Sequence, residues 1–279
     1  MTMTTRVRKR MQYGVRSVIM IGLTVLMALP LYYVVISTFK TQADMAASPF
    51  GLPATWTLQN YVLALADDTL LQSFLNTLIV TVVGVALQIL IGSMAAYGMI
   101  LRSSRLTAGV GALLLLAFCI PMQSTLIPLY QMEARLGLVN SLTGLILLYL
   151  AGAIFCYFLI VGYMRKLPME VIEAAKIDGA GPLRIYASVV LPLIRPILIT
   201  VIVFQTLGTW NDFVWPNLLL SSSEKRTVVL QVYNAVGQFT TDWPQFMTVT
   251  VIALLPVFVF FLFCQRWIVA GLVAGSVKG

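Results

Sequence analysis

The chain has 279 residues, 59% of them hydrophobic and 10% charged, with a mean hydropathy of +0.93 and a formal net charge of +8. Soluble domains carry about 25% charged residues, so this composition points to a chain whose exterior, and not only its core, is apolar, as a lipid bilayer requires. The absence of histidine excludes His-based acid–base catalysis, Ser–His triads and HExxH metal sites, and the basic residues are too few and too segregated for a phosphate-binding stripe, which excludes nucleic acid as a partner.

Residues 1–16 form a basic tail carrying Arg6, Arg8, Lys9, Arg10 and Arg16. A charge-free run between Arg16 and Lys40 predicts a first membrane helix over 17–39. It exceeds the roughly 7–15-residue apolar core of a signal peptide and further spans follow, so it is read as retained. An outer loop over 40–72 holds Pro49, Gly51, Pro53 and Trp56. Residues 73–266 form a five-helix core. The second span lies between Asp68 and Arg102, the third between Arg105 and Glu133, and the fourth between Arg135 and Arg165. The fifth follows Arg195, ends near Asp212, and gains length if Arg195 snorkels to the interface. A second long outer loop, 213–245, leads to the sixth span between Asp242 and Arg266, and a tail over 267–279 ends the chain. All but the fifth have about the 20 residues that cross ~30 Å of hydrocarbon. The expected fold is all-α, a polytopic membrane protein with six transmembrane helices.

Charge orients these spans. With the N-terminus inside, 14 of the 18 basic residues lie on the inner side, against only Glu170, Glu173 and Asp178 of the ten acids. The positive-inside rule thus absorbs the whole basic excess and predicts both termini in the cytoplasm. The long outer loops read either as docking and gating surfaces or as interfacial caps with tryptophan belts. Cys119, Cys156 and Cys264 sit in apolar runs without CxxC spacing and read as small buried hydrophobes.

The connection between the fourth and fifth spans, LPMEVIEAAKIDGAGPLRIYASVVLPLIRP over 167–196, carries the most information. Pro168 suits a first helical position, and ten good helix formers follow. Met169, Ile172 and Ala175 fall on one face at i, i+3 and i+6, while Glu170, Glu173 and Lys176 fall on another. Gly179 can end this helix in a left-handed conformation. Pro182 can start a second helix, which stops or kinks around Pro192 and Pro196. The Ala174–Ala175 pair leaves room for a partner surface. An amphipathic helix this short is marginal in water and needs something to dock on, either a partner or the lipid headgroups.

Glu173-Ala174-Ala175, Asp178-Gly179-Ala180 and Leu191-Pro192, at this spacing and before the penultimate span, resemble the EAA loop of binding-protein-dependent ABC importer permeases, and the carbohydrate branch in particular. LNTLIVTVVGVALQILIGSMAAYGM (75–99), TWNDFVWPNLLL (209–220) and QRWIVAGLVAGSVKG (265–279) are similar to that family's second span, fifth-span exit and second-subunit tail. The resemblance implies a type I ABC importer transmembrane domain in a bacterial or archaeal cytoplasmic membrane. It implies that the loop over 167–192 is a coupling element, with Glu173, Ala174, Ala175, Lys176, Asp178, Gly179 and Ala180 meeting an ATPase subunit. It further implies two cytoplasmic ATPase subunits, a second and different permease subunit, and an extracytoplasmic solute-binding protein. The chain has no G-x-x-x-x-G-K-[ST] loop, so ATP and Mg are expected on separate ATPase chains, and this chain is expected to be a membrane subunit, not an enzyme, with no cofactor of its own.

Uncharged polar residues in or near the spans are Asn76, Gln88, Gln123, Ser124, Asn140, Gln205, Trp210 and Asn211. Hydrogen-bonding groups and an aromatic ring suit a neutral sugar or oligosaccharide. The same residues also serve helix–helix hydrogen bonding. Gly92, Ser93, Ala95 and Ala96 read as a close-packing surface, and Asp212 reads as the one acid close to a span. An ion-coupled secondary transporter of a small neutral solute is the competing class. Such carriers keep ionisable residues in their spans, and here the span interiors lack Asp, Glu, Lys and His.

Overall fold

The computed structural model describes residues 2–101, 104–236 and 241–276, with the backbone alone for 2–12 and 266–276. In chain order the helices are α1 Thr2–Ser37, α2 Gln42–Ala47, α3 Gln59–Leu65, α4 Asp68–Leu101, α5 Arg105–Cys119, α6 Met122–Arg135, α7 Leu142–Tyr149 and α8 Ala153–Met164. They continue with α9 Glu170–Ile177, α10 Pro182–Ile185, α11 Leu191–Leu193, α12 Arg195–Trp210, α13 Val214–Leu219, α14 Val228–Asn234 and α15 Trp243–Ser276. Among the described residues there is no strand. The backbone is helical from Thr2 and up to Ser276, so helix extends into both expected tails.

Four stretches are long and apolar enough to cross a bilayer: Tyr13–Ser37, Asp68–Leu101, Leu142–Met164 and Trp243–Gln265. Two bent pairs, α5 with α6 at 101° and Pro182–Leu193 with α12 at 80°, are long and apolar enough only when each pair is taken together. The total is six when each pair counts as one. The third crossing is therefore not one straight run between Arg105 and Glu133. Pro121 has no N–H to continue the helix, and its ring drives the preceding residue into extended backbone. Ile120 accordingly has ψ 121°, and the Ser124 hydroxyl donates to the Pro121 carbonyl at 2.7 Å. In the fifth crossing the break expected near Pro192 and Pro196 falls at Ile194, after a π turn over Tyr186–Val190.

The chain forms two compact units, one of residues 1–67 with 234–254 and one of 68–233 with 255–279. In the first, the apolar part of α1 is almost entirely exposed. The segment after it folds into a small cap. Lys40, expected as an ordinary outer-loop cation, is fully buried. Its Nζ donates to the carbonyls of Ser48 at 2.7 Å and Pro49 at 3.0 Å. Asn60 donates to the carbonyls of Thr38 and Lys40 at 2.8 and 2.9 Å, and the Phe39 ring packs on those of Trp56 at 5.7 Å and Tyr61 at 5.6 Å. Lys40→Met should remove two charge-assisted hydrogen bonds at a cost of about 1.5–3 kcal/mol. Faster limited proteolysis within residues 41–58 is the expected readout.

In the second unit α4 packs along α7, α8 and α12. Hydrocarbon gives apolar helices no net drive to associate, so close backbone approach has to supply the attraction. Gly92 provides it: a Cβ there would lie 2.6 Å from the Cys156 Cβ and 2.8 Å from the Ala153 carbonyl oxygen. The main core joins Ala96, Cys156, Ile160, Met164, Val190 and Val201. Of the three cysteines only Cys156 is buried. Cys264 is half-buried, and Cys119 is exposed because α5 buries none of its side chains.

Candidate functional site

The loop over 167–192 leaves the membrane core without detaching from it. Ile172, on the apolar face of α9, is 1% exposed and belongs to the same core as Met164, Ile185 and Val190. Met169 and Ala175 pack against that core as well, as the i, i+3, i+6 spacing predicts. Burying Ile172 contributes about 1.5–3 kcal/mol. Two tyrosines fasten the second half of the loop. The Tyr186 hydroxyl pairs with the Ser93 hydroxyl at 2.7 Å, and Tyr97 donates to the Pro182 carbonyl at 3.0 Å. Their rings stand 5.6 Å apart.

The corner between α9 and α10 is closed by a pair of reverse bonds. Gly179 N donates to Lys176 O and Ala180 N donates to Ala175 O, each at 3.0 Å, which is the Schellman pattern. Gly179 has φ +77°, and an added Cβ would meet nothing within 4 Å. Backbone conformation rather than space therefore demands glycine here. Gly179→Val should cost about 1–3 kcal/mol, while Gly179→Asn should be close to neutral, because asparagine visits the left-handed region. Thermal melting and solute uptake of the two variants test this, and equal behaviour would refute it.

What remains outside the core is a surface. Glu173, Ala174, Lys176 and Asp178 are exposed, while Ala175 and Ala180 are half-buried. Two apolar residues not singled out from sequence stand beside them: Ile177 is 86% exposed and Leu183 is 72% exposed. The sequence signal was available, since both fall on the face opposite the buried Ile172 and Ile185. Two large apolar side chains left exposed on one short helix pair make this face a candidate interaction site.

The expected solute-contact residues separate into four groups. Gln88 and Gln205 come together at the middle of the Leu142–Met164 crossing, where a 3₁₀ turn over Leu150–Gly152 interrupts the helix. Gln88 Nε2 donates to the Tyr149 carbonyl at 2.8 Å, and Gln205 Nε2 donates to the Gly152 carbonyl at 3.1 Å and to Gln88 Oε1. Carbonyls loosened at membrane depth need such donors. Asn76 is spent on the outer loop, donating to the carbonyls of Glu224 and Arg226 at 2.8 and 2.9 Å. Asn140, at φ 57°, accepts from the backbone of Ser221 and Ser222. Gln123, Ser124 and Asn211 are exposed. Trp210 is buried, 6.4 Å from the Phe74 ring, and lines an apolar cavity of about 480 Å³ with Leu78, Thr81, Ile202 and Phe260.

Asp212 is not the one acid close to a span: Asp68 opens α4 and Glu133 lies within α6. Asp212 accepts from the Tyr149 hydroxyl at 2.6 Å and from Val214 N at 2.9 Å. Glu133 is 1% exposed, because the bend before α6 folds the end of that helix onto Gly144. Among the described residues no cluster of His, Cys, Asp or Glu could hold a metal ion.

Residues 88–273 match the family described as binding-protein-dependent transport system inner membrane component. The chain is 34% identical to AmyC of Thermoanaerobacterium thermosulfurigenes, a probable permease protein for starch degradation products, over 92% of this chain and 94% of that one. It is 32% identical to MelC of Bacillus subtilis, a melibiose/raffinose/stachyose import permease protein, over 90% and 91%. It is 35% identical to MsmG of Streptococcus mutans, a multiple sugar-binding transport system permease protein, over 91% and 93%. A chain of a bacterial ABC transporter for alginate import has the same fold, with a TM-score of 0.83 at 22% identity over 93% of this chain and 97% of that one. A chain of the MetNI methionine transporter superposes with a TM-score of 0.58 at 19% identity over 72% and 95%.

Proposed function

Because the chain belongs to the family of binding-protein-dependent transport system inner membrane components, we propose that it is one membrane-spanning subunit of an ATP-driven importer for a sugar or oligosaccharide. The observation that carries this is the loop over 167–192: its inner face is continuous with the membrane core through Ile172, Ile185 and Tyr186, while its outer face offers Glu173, Ala174, Ile177 and Leu183 to a partner. A cytoplasmic ATPase subunit fits this surface. Its motion on binding ATP would pass through α9 into α4 and α8, because Tyr97, Tyr186 and Ile172 leave little slack between them.

The complex in this reading holds two ATPase subunits with their ATP and Mg, a second and different permease, and an extracytoplasmic solute-binding protein. Both termini then lie in the cytoplasm of a bacterial or archaeal cell, as the charge distribution favours. The sugar class is drawn from the named functions of the relatives. Of the candidate solute contacts, Gln123, Ser124 and Asn211 are exposed, although Ser124 and Asn211 donate to their own helix backbone, whereas Gln88, Gln205 and Asn76 spend their amides inside the fold. Nothing in the relatives favours the ion-coupled carrier.

Purification of the tagged chain tests the proposal. An ATPase subunit should accompany it, and a solute-loaded binding protein should stimulate hydrolysis in proteoliposomes. Purification without an ATPase, or uptake that follows an ion gradient and ignores ATP, would overturn it.

A further inference from the structure

A cavity of about 690 Å³ opens where α4, α5 and α8 approach the loop. Its two ends differ in chemistry. At the loop end stands Arg165, exposed and without an acid partner among the described residues. Beside it is the first turn of α5. Ser104 and Thr107 of this turn line the cavity; their capping box satisfies the Thr107 N–H, while the N–H groups of Arg105 and Leu106 have no hydrogen-bond partner among the described residues. Unpaired N–H groups and the positive end of a helix dipole favour an anion.

Farther along, the walls become apolar. Ala108, Gly111 and Ala112 fall at i, i+3 and i+4 on α5, with Leu115 and Phe158 completing the groove. In this wall lies Tyr157, 6% exposed and packed in the main core. Its hydroxyl would be 3.6 Å from a Cβ added to Gly111, and it has no hydrogen-bond partner among the described residues. Its oxygen is not sealed off like the unpaired hydroxyls of Thr81 and Thr227 but belongs to the cavity lining, where it is free to pair with an oxygen supplied from outside the chain. A free anion would leave the apolar half of the groove empty. A polyol would leave its hydroxyls unpaired there.

We infer that this groove seats an anionic phospholipid from the leaflet on the loop's side. The phosphate sits between Arg165 and the start of α5, an ester oxygen accepts from the Tyr157 hydroxyl, and one acyl chain runs over Gly111. Met169, which caps the start of α9, lines the same cavity. Lipid occupancy therefore touches the base of the loop helix, a role separate from solute transport itself.

Native mass spectrometry of the full chain tests this, after purification in mild detergent with the subunits that accompany it. Wild-type protein should retain a phospholipid and prefer phosphatidylglycerol over phosphatidylcholine on reloading. Arg165→Gln should lower retention about tenfold, the worth of a charge-assisted contact. Tyr157→Phe should lower it less, and Gly111→Phe should block it with the charge intact. With Leu115 replaced by benzoylphenylalanine, illumination should crosslink a lipid. Unchanged retention in Arg165→Gln, equal retention of the two lipids, complete displacement by millimolar inorganic phosphate, or a crosslink to another polypeptide would each overturn the assignment. None of these readouts depends on transport.

Discussion

Gly92→Val is expected to leave little folded protein in the membrane. The atoms an added Cβ would meet are the Cys156 Cβ at 2.6 Å, the Ala153 carbonyl oxygen at 2.8 Å and the Tyr157 nitrogen at 3.0 Å. All are backbone or attached directly to it, so no rotamer change relieves the clash. Overpacking in a close-packed interior typically costs 1–3 kcal/mol, and with rigid neighbours the expected cost is above about 3 kcal/mol. The helices must separate, which also forfeits the short-range packing that holds them together in lipid. Gly92→Ala should act in the same direction with smaller size. Adding Cys156→Gly should recover only part of the loss, since it removes one of the three contacts. Fluorescence-detected size-exclusion profiles and thermal melting in detergent measure this, and wild-type behaviour of Gly92→Val would refute the crossing geometry.

The second large effect is on coupling. Ile177→Asp with Leu183→Asp should abolish uptake while the chain keeps its normal melting temperature. Both side chains project into solvent, so their replacement should change folding stability by no more than about 0.5 kcal/mol. Each apolar anchor at the centre of a protein interface is worth about 2 kcal/mol or more, roughly a thirtyfold loss in affinity. The double variant should therefore purify without its ATPase subunit. Retained ATPase together with normal uptake would show that the partner docks elsewhere. Ile172→Asp makes the contrast: it strikes the buried face of the same helix and should fail by misfolding, not by uncoupling.

How far the sequence revealed these features depended on whether their cause was local. The corner at Gly179 was legible because Asp178-Gly179-Ala180-Gly181-Pro182 carries both a helix stop and a helix start. Ile172 was legible as the inward residue because helical period alone places it. The break in the third crossing had a local cause too, Pro121, but a charge-free run conceals it when span length is the criterion. Gln88 and Gln205 could be named as polar residues at membrane depth. Their meeting depends on how α4, α8 and α12 pack and on the 3₁₀ turn at Leu150–Gly152, and no local pattern encodes either. Lys40 shows the same limit. A lone lysine beside a loop reads as solvated, and only the folded cap brings two carbonyls to its ammonium group.

The division of the loop into an anchored face and a projecting one has a consequence for exchange between systems. Ile172, Ile185 and Tyr186 belong to the buried core, whereas Ile177 and Leu183 are largely exposed and stand outside it. On the proposed reading of this loop, docking specificity would rest on a few side chains that can be rewritten without refolding the membrane domain. Grafting only those positions from a relative should redirect the chain to that relative's motor. Transplanting the whole loop would carry foreign anchors into the core and should disturb it.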